Sequence, residues 1–416
     1  MLSFEEAVAR MVDGAPVMPV ERVVLADAYD RVLAEDLVSE VAVPPWNNSA
    51  MDGYAVIAAD TADGEVQLDI NEIVGAGAVA TMPVRPGTAT GIMTGAPMPE
   101  GADTVVMIEH TDGARAGRVR IRGKARVAQH IRPRGAAMQP GEVVLTAGTV
   151  LTPAAVGLVA SVGIAEVPVR RRPLIGVLST GDEVVPAGRP LGPGQIYSSN
   201  NATLVGYVRQ AGGVAVDGGN APDDLPVMID MLADLADRCD AVMTTGGVSM
   251  GMYDQVRDAY AAIGAELDFW KIAVKPGKPL AFGQVDRKGR VVPLFGLPGN
   301  PVSCAVGFLE YVGPWIRRAL GRAEPYLPVV DAVAEAPLVD RSKRPKLLRV
   351  ALRRDADGTV RCRPAGDQSS GVLTAVARGH GLAMVPGDVP RVEPGQRVTV
   401  QIYDAGFLAS AEPPRF

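Results

Sequence analysis

The sequence predicts a multidomain α/β protein: a central doubly wound sheet with β-rich segments on either side. Three observations lead there. Between about residues 172 and 322, short apolar runs alternate with helix-like stretches, the pattern of a parallel sheet covered by helices on both faces. From about residue 46 to 140, and again from about 323 to 416, short β-like runs fall between Gly and Pro, as in small barrels or sandwiches. The 416 residues suffice for two to four domains at roughly 100–200 residues each.

Taken in order, residues 1 to about 45 read as helical, because Leu2, Phe4, Ala7, Val8 and Met11 recur at helical spacing. The segment 46–140 carries the runs "GIMTGAPMPEGADTVVMIE" and "RVRIRGKARV". Val143 to Ala165 is uncharged and long enough to cross a bilayer, yet "LTPAAVGLVASVG" reads as a short buried helix. Thr152 is its N-cap, Pro153 its first residue and Gly163 its terminator. In the central zone "PLIGVLST", "GVAVDGG", "CDAVMTTG", "LDFWKIAV" and "KPLAFG" are strands. "SNNATLVGYVRQAG", the stretch marked by Leu225, Met228, Ile229, Leu232 and Leu235, and "YDQVRDAYAAIG" are helices. After "VVPLFGLPG" a long helix starts at Asn300-Pro301, with Ala305, Phe308, Leu309, Val312, Trp315, Ile316 and Ala319 as its buried stripe. "LLRVALRR", "LAMVP" and "RVTVQIYD" then mark a closing all-β domain.

A formal charge of −6 argues against bulk binding to nucleic acid or an anionic membrane, so an anionic ligand needs a local basic site. Cys239, Cys304 and Cys362 are odd in number and far apart, and His110, His130 and His380 are scattered, which excludes a disulfide framework and a His/Cys metal cluster. "MLSFEEAVARMV" carries acids and no long apolar core, so a secretory signal is not expected, and the expectation is a soluble, cytoplasmic protein.

Ligands of a doubly wound sheet bind where the loops leave the C-terminal strand ends. The candidates there are Thr180-Gly181-Asp182-Glu183, Asp223-Asp224, Gly246-Gly247-Val248-Ser249 with Asp254, Lys271 with Lys275-Pro276-Gly277-Lys278, and Pro298-Gly299-Asn300. Gly246 and Gly247 could turn backbone N–H groups toward an anion, with the Ser249 hydroxyl beside them; the plain alternative is a tight βα turn. Lys271 and Lys275, four apart on one strand, share a face and could face the same anion, or simply form a solvated edge. Carboxylates beside phosphates commonly hold Mg²⁺; the alternative for Asp182 and Asp224 is a helix N-cap. In the N-terminal half, "PPWNNSAMDGYAV" is a turn-rich loop able to close over a ligand.

Seven motifs, "NNSAMDGYAV", "IMTGAPMPEGADTVVM", "VLSTGDEV", "GQIYSSN", "TTGGVSMGMYD", "KIAVKPGKPLAFG" and "LFGLPGNPVS", together resemble the MoeA family of molybdopterin molybdenumtransferases, to which the gephyrin E domain is related. The resemblance spans essentially the whole chain. It implies an elongated homodimer whose subunit has four domains: 1–45 with 141–171 as a linker and dimerisation domain, 46–140 as an inserted β-rich lid, 172–322 as a MogA/MoaB-like domain binding molybdopterin, and 323–416 as a β-barrel. It implies insertion of molybdate into adenylylated molybdopterin with release of AMP and with Mg²⁺ present. Carried over residue by residue, the catalytic set is Asp52, Glu183, Asp223, Asp254, Lys271 and Lys275, with Glu183, Asp223 and Asp254 toward the metal. The substrate-binding set is Thr94, Arg132, Ser179, Thr180, Gly181, Gly246, Gly247, Ser249, Pro298, Gly299 and Asn300. Molybdoenzyme acceptors or the adenylyltransferase are the protein partners it suggests.

Three places depart from the family pattern. Arg134-Gly135-Ala136-Ala137 stands where the family has Arg-Gly-Glu-Asp, Ser198 replaces the acid of "IYDSN", and Gly379-His380-Gly381 stands at "ANG". Two further readings share the central domain: adenylylation of molybdopterin, and a non-catalytic molybdopterin-binding copy.

Overall fold

The computed structural model describes residues 1–247 and 255–409. Its centre is a six-stranded sheet in the order Val214–Ala221, Leu174–Thr180, Ala241–Thr245, Arg290–Leu297, Pro279–Arg287, Glu266–Lys271. The first four strands are parallel; Pro279–Arg287 runs antiparallel to both of its neighbours, so Glu266–Lys271 at the edge points the same way as the first four. The sheet is therefore mixed, where the sequence pattern suggested a parallel one. The reason lies in the connections. Arg287 pairs directly with Arg290 across the tight turn Lys288-Gly289, both at positive φ, and residues 272–278 are too few for the crossover that a parallel neighbour requires.

Side chains alternate between the two faces of this sheet. Val177, Met243 and Phe295 join one apolar cluster with Leu204 and Val208 of the helix Ser199–Ala211 and with Trp315. Leu178, Val242 and Leu294 join a second cluster with Met228, Leu232 and Leu235 of the helix Leu225–Arg238 and with Val256, Ala259 and Tyr260 of the helix Val256–Ala262. Period-two alternation covered on both sides defines the doubly wound core.

The long C-terminal helix of this unit runs as α-helix over Pro301–Gly307, as a π-turn over Phe308–Val312 and as α-helix again over Gly313–Ala319. Pro314, which has no N–H to donate, sits just beyond the π-turn. The predicted stripe is buried, but so are Glu310 and Arg317, so this helix is enclosed nearly all round.

The N-terminal 45 residues are not one helical region. Helix covers Phe4–Val8, capped by Ser3, and continues as a π-turn over Ala9–Asp13. Ala7, Met11 and Val12 pack into the first cluster of the central sheet. The chain then forms strands Val20–Val24, paired with Glu166–Arg170, and Leu37–Val38, paired with Val143–Leu145. The helix Pro153–Ser161 follows its predicted caps: Thr152 Oγ1 accepts from the Ala155 N–H and Gly163 has φ +81°.

Residues 53–122 form one open six-stranded sheet with a separate apolar cluster on each side, Tyr54, Leu68 and Val106 on one and Ala55, Val74 and Val105 on the other. This is neither the closed barrel nor the sandwich that the run lengths allowed. The C-terminal strands Val329–Ala334, Val360–Pro364, Lys346–Arg354, Gly381–Val385 and Arg397–Ile402 close into a barrel. Among the described residues no helix is long and apolar enough to cross a membrane, and all three cysteines are buried and unpaired.

Glu310 joins the helical core to the barrel. It is 4% exposed, and its partner is the Gln401 side-chain amide on the barrel, whose nitrogen donates to Glu310 Oε2 at 3.1 Å. Burial pushes the carboxyl up to about 8, the Gln401 hydrogen bond opposing only part of that. Between about pH 5 and 8 the folded chain keeps a proton that the unfolded chain releases. Stability therefore falls as pH rises through that window, by up to about 1.4 kcal/mol per unit. Glu310→Gln should flatten this dependence. The check is denaturant midpoints of both proteins from pH 6 to 8.5; parallel curves would show that Glu310 does not titrate there.

Candidate active site

At the C-terminal edge of the parallel strands lies a cavity of about 760 Å³. Ser179, Thr180, Gly181, Glu183, Asp223, Gly246, Gly247, Pro298, Gly299 and Asn300 all line it, so the structure gathers most of the sequence-predicted set at one place. Two glycines account for the close fit of the loops. Gly246 has φ +97° and a Cβ there would lie 2.6 Å from Thr180 Oγ1; Gly247 has φ +60° and a Cβ would lie 2.5 Å from Val256 Cγ2. Only glycine combines that backbone with that approach.

Hydrogen bonds hold the loops in register. Asn200 Nδ2 donates to Thr245 Oγ1 and to the Gly299 carbonyl, both at 2.8 Å, and Thr245 Oγ1 donates to the Pro298 carbonyl at 3.2 Å. One amide thus connects three walls of the cavity. Asn220 Nδ2 holds the TGDE turn through the carbonyls of Gly181 at 2.8 Å and Val184 at 3.2 Å. Asp182 accepts from the Asp223 N–H at 3.0 Å and Asp224 caps the next helix through the Val227 N–H; Asp182 is a turn brace and not a helix cap. Asn300 occupies the N-cap position of its helix without a side-chain capping bond. Ser179 Oγ, on the cavity wall and buried, has no protein partner. Ser198, at the departure from the family pattern, also lines the cavity.

A second cavity, of about 550 Å³, adjoins the first and shares Pro279, Pro298 and Asn300 with it. Its other walls come from Lys275 and Lys278 and, across the barrel boundary, from Asp340, Arg344, Arg349 and Asp367. Lys275 Nζ is 2.7 Å from Asp340. Burial raises the Asp340 carboxyl, but Lys275 and the Ser342 N–H outweigh it and hold the group below its ordinary range. Arg349 is fully buried and burial lowers its guanidinium to about 10; its Nη1 and Nη2 donate to the carbonyls of Leu347 and Ser369, each at 3.3 Å, and its Nε has no partner.

The paired-lysine expectation needs correcting. The edge strand ends at Lys271, which lies opposite Pro279. Beyond it Ile272 bridges to Leu2 and Lys275 to Lys346, so the two lysines do not project from one regular strand. Nor is Lys275 a side chain whose removal spares the packing, because Asp340 is nearly buried against it.

Three predicted residues lie in the sheet of residues 53–122 and its flanks. Asp52 is exposed, and its Oδ1 accepts from Thr94 N at 2.6 Å and Thr94 Oγ1 at 2.8 Å; these bonds, the backbone one foremost, hold its carboxyl below the ordinary range. Arg132 is exposed on the strand Ile131–Arg132, opposite Asn48. None of the three lines either cavity. Ser249 and Asp254 lie outside the described residues. Among the described residues no group of three or more His, Cys, Asp or Glu comes together to hold a metal, so the predicted metal set is represented by Glu183 and Asp223 on one cavity wall.

The sequence reading missed Asn200, Thr245 and the barrel's contribution. Asn200 stood in the motif "GQIYSSN" at the start of an expected helix, but no role was attached to it. The barrel residues carried only the signal of basic residues inside a β-run, "KRPKLLRVALRR".

The Gly246 N–H, expected to face an anion, donates instead to the Leu297 carbonyl at 3.2 Å, and the Gly181 N–H to the Ala221 carbonyl at 3.1 Å. A mixed αβ sheet with a polar cavity at its C-terminal edge and a charge-rich cavity beside it defines an α/β protein of the class that places its ligand site at converging strand ends. Comparison with known proteins narrows the class: the chain belongs to the MoeA family. Residues 2–163 match the "MoeA N-terminal region (domain I and II)", 176–318 the "Probable molybdopterin binding domain" and 331–403 the "MoeA C-terminal region (domain IV)". A Mycobacterium tuberculosis protein named molybdopterin molybdenumtransferase 2 is 39% identical over 389 residues, covering 91% of this chain and 94% of its own. The Bacillus subtilis molybdopterin molybdenumtransferase is 33% identical over 403 residues, covering 95% and 93%. The crystal structure of a MoeA protein of molybdopterin biosynthesis from Pyrococcus horikosii superposes with a TM-score of 0.82 at 29% identity, covering 97% of this chain and 100% of that one.

The Asn200 network makes a stability prediction. Asn200→Ala loses two hydrogen bonds, each contributing about 0.5–1.5 kcal/mol. Asn200→Asp should cost more, because a carboxylate would face the Gly299 carbonyl. Urea midpoints of the three proteins measure the order; an Asp variant as stable as wild type would show that this amide does not hold the loops.

Proposed function

We propose that this chain is a molybdenum insertase that takes adenylylated molybdopterin and molybdate and releases AMP and the metal-loaded cofactor. The observation that carries the reading is the junction of two unlike cavities. The first is walled by hydroxyls, two carboxylates and backbone of the glycine loops, and suits a phosphorylated organic ligand. The second is walled by four cationic side chains and suits an oxoanion. At their shared wall the oxoanion would meet the pterin end of the ligand.

In this reading Ser179 Oγ and the loop segments at Gly246-Gly247 and Gly299-Asn300 hold the phosphate side of the ligand. Lys275 and Lys278 offset the charge that develops as the phosphoanhydride breaks, so catalysis rests on positioning and electrostatics. Glu183 and Asp223 offer hard oxygen donors on one wall, which fits Mg²⁺ held by one or two carboxylates together with substrate phosphates. When bound, that ion would neutralise phosphate charge. The adenylyltransferase reading uses the same central domain, but residues 2–163 and 331–403 match the N-terminal and C-terminal regions of MoeA, which supports the insertase.

The position of Asp52, Thr94 and Arg132 away from both cavities favours a homodimer in which the lid of one subunit completes the site of the other. Mixed dimers of an Asp52→Ala subunit with a Glu183→Ala subunit should then recover part of the activity that each parent lacks. Verified mixed dimers without recovery would place both acids in the same subunit's site. We propose the four units 1–45 with 141–171, 46–140, 172–322 and 323–416 as the working domains of this dimer.

The decisive experiment measures AMP release from adenylylated molybdopterin as molybdate is raised. Molybdate-dependent release supports the insertase; consumption of ATP with molybdopterin, and no such release, would assign adenylylation instead. Release that needs no molybdate would also count against insertion. Ala137 is exposed and its N–H donates to the Val43 carbonyl at 2.9 Å, so an Asp side chain fits without moving the loop. Ala137→Asp, which restores the family's acid, should lower the molybdate concentration needed for half-maximal release. An unchanged dependence would show that the remaining acids suffice.

A further inference from the structure

The second cavity carries six charged side chains: Lys275, Lys278, Arg344 and Arg349 against Asp340 and Asp367. Four positive and two negative formal charges leave +2, the complement of a tetrahedral dianion. The two acids are not equivalent. Asp367 Oδ1 accepts from the Ser369 N–H at 2.7 Å and lies in an exposed turn. Asp340 is 8% exposed, with Lys275 Nζ at 2.7 Å and the Ser342 N–H at 2.8 Å. A nearly buried carboxylate on the wall of an anion cavity opposes the ligand's charge. It also turns the ammonium of Lys275 toward the barrel.

We propose that Asp340 sets the affinity of this cavity for dianionic oxoanions, holding Lys275 partly neutralised so that the anion is captured weakly enough to be passed on. The inference rests on the cavity being the oxoanion site. It goes beyond that reading by assigning a barrel carboxylate the task of limiting, and not providing, affinity. Asp340 acts through Lys275 and through its own field, so it is a specificity-determining and positioning residue and touches no reacting atom.

The electrostatic consequence is directional. A unit negative charge about 6 Å from a dianion, at an effective dielectric of about 20–40 and under physiological screening, lowers its affinity by roughly ten- to a hundredfold. Asp340→Asn removes that charge and keeps one acceptor, the amide oxygen for the Ser342 N–H, while its NH2 replaces the oxygen that now holds Lys275, so the ammonium is released toward the cavity. Affinities of the full chain for molybdate and, separately, sulfate are measured by calorimetry at two ionic strengths, with melting curves in the absence of anion. Asp340→Asn should tighten both anions by roughly ten- to a hundredfold and steepen the salt dependence. Unchanged or weakened binding in a variant that melts like wild type would overturn the proposal. If Asp340→Asn fails to fold, the comparison moves to Lys275→Gln and the double variant Lys275→Gln/Asp340→Asn, which replaces the ion pair with two neutral amides. The double variant should bind anions more tightly than Lys275→Gln, and equal or weaker binding overturns the proposal. A wild-type chain that binds neither anion would instead remove the oxoanion cavity itself, and the proposal with it.

Discussion

The backbone of residues 272–275 is hydrogen-bonded on two sides, and the arrangement of both cavities depends on it. The Ala273 N–H donates to the Leu2 carbonyl, the Lys275 N–H to the Pro345 carbonyl, and the Lys275 carbonyl accepts from the Leu347 N–H, each at 2.9 Å. The N-terminal segment, the antiparallel edge of the central sheet and the barrel therefore meet on one short stretch. An edge strand left open offers unpaired amides to other chains. Here the chain just beyond that edge is covered, and the cover brings Asp340, Arg344 and Arg349 to the loops. Without this pairing the cationic cavity would have only one wall.

The same stretch explains how far the sequence could be read. Local periodicity was sufficient for the central unit. Leu178 and Val177, or Val242 and Met243, alternate in type only weakly, yet each pair divides between two helix-covered faces, as strand–helix alternation requires. The glycine loop and the TGDE turn were legible because φ above zero and close approach leave a composition signature. The antiparallel edge was not legible from apolar runs, which do not encode strand direction; the tight turn at Lys288-Gly289 did. Helical spacing near Leu2 was real but stopped at Asp13: Leu2, Phe4, Ala7, Val8, Met11 and Val12 pack on the central cluster, and beyond Gly14 and Pro16 the chain continues as strand.

The site was legible where one loop supplies it and illegible where two distant segments do. Ser179, Thr180, Glu183 and Asp223 sit beside strands whose ends converge by topology, so placing the strands placed the residues. The spacing of Lys271 and Lys275 suggested one face only while a continuous strand was assumed; Ile272 leaves that strand to pair with Leu2. Arg349 and Asp340 are charged residues in a β-rich segment, and nothing local distinguishes them from solvated strand faces. Their burial is a property of the barrel's contact with the central unit.

In the proposed function the two cavities divide an electrostatic task that one could not perform. A phosphorylated pterin needs many neutral donors, since a dense cationic wall would bind its anionic product as firmly as its substrate. A small oxoanion presents too little surface for shape recognition and needs charge. Placing the neutral donors on loops of the rigid sheet and the cations at the seam with the barrel lets each be adjusted separately. Charge at the seam can change without disturbing the glycine turns, and the acidic chain as a whole needs no basic surface. Ser198 on the wall of the first cavity extends this logic. With a hydroxyl there, the described part of the wall keeps Glu183 and Asp223 as its carboxylates, so in the proposed function less negative charge would oppose the phosphates and any hard cation would be held by fewer oxygens.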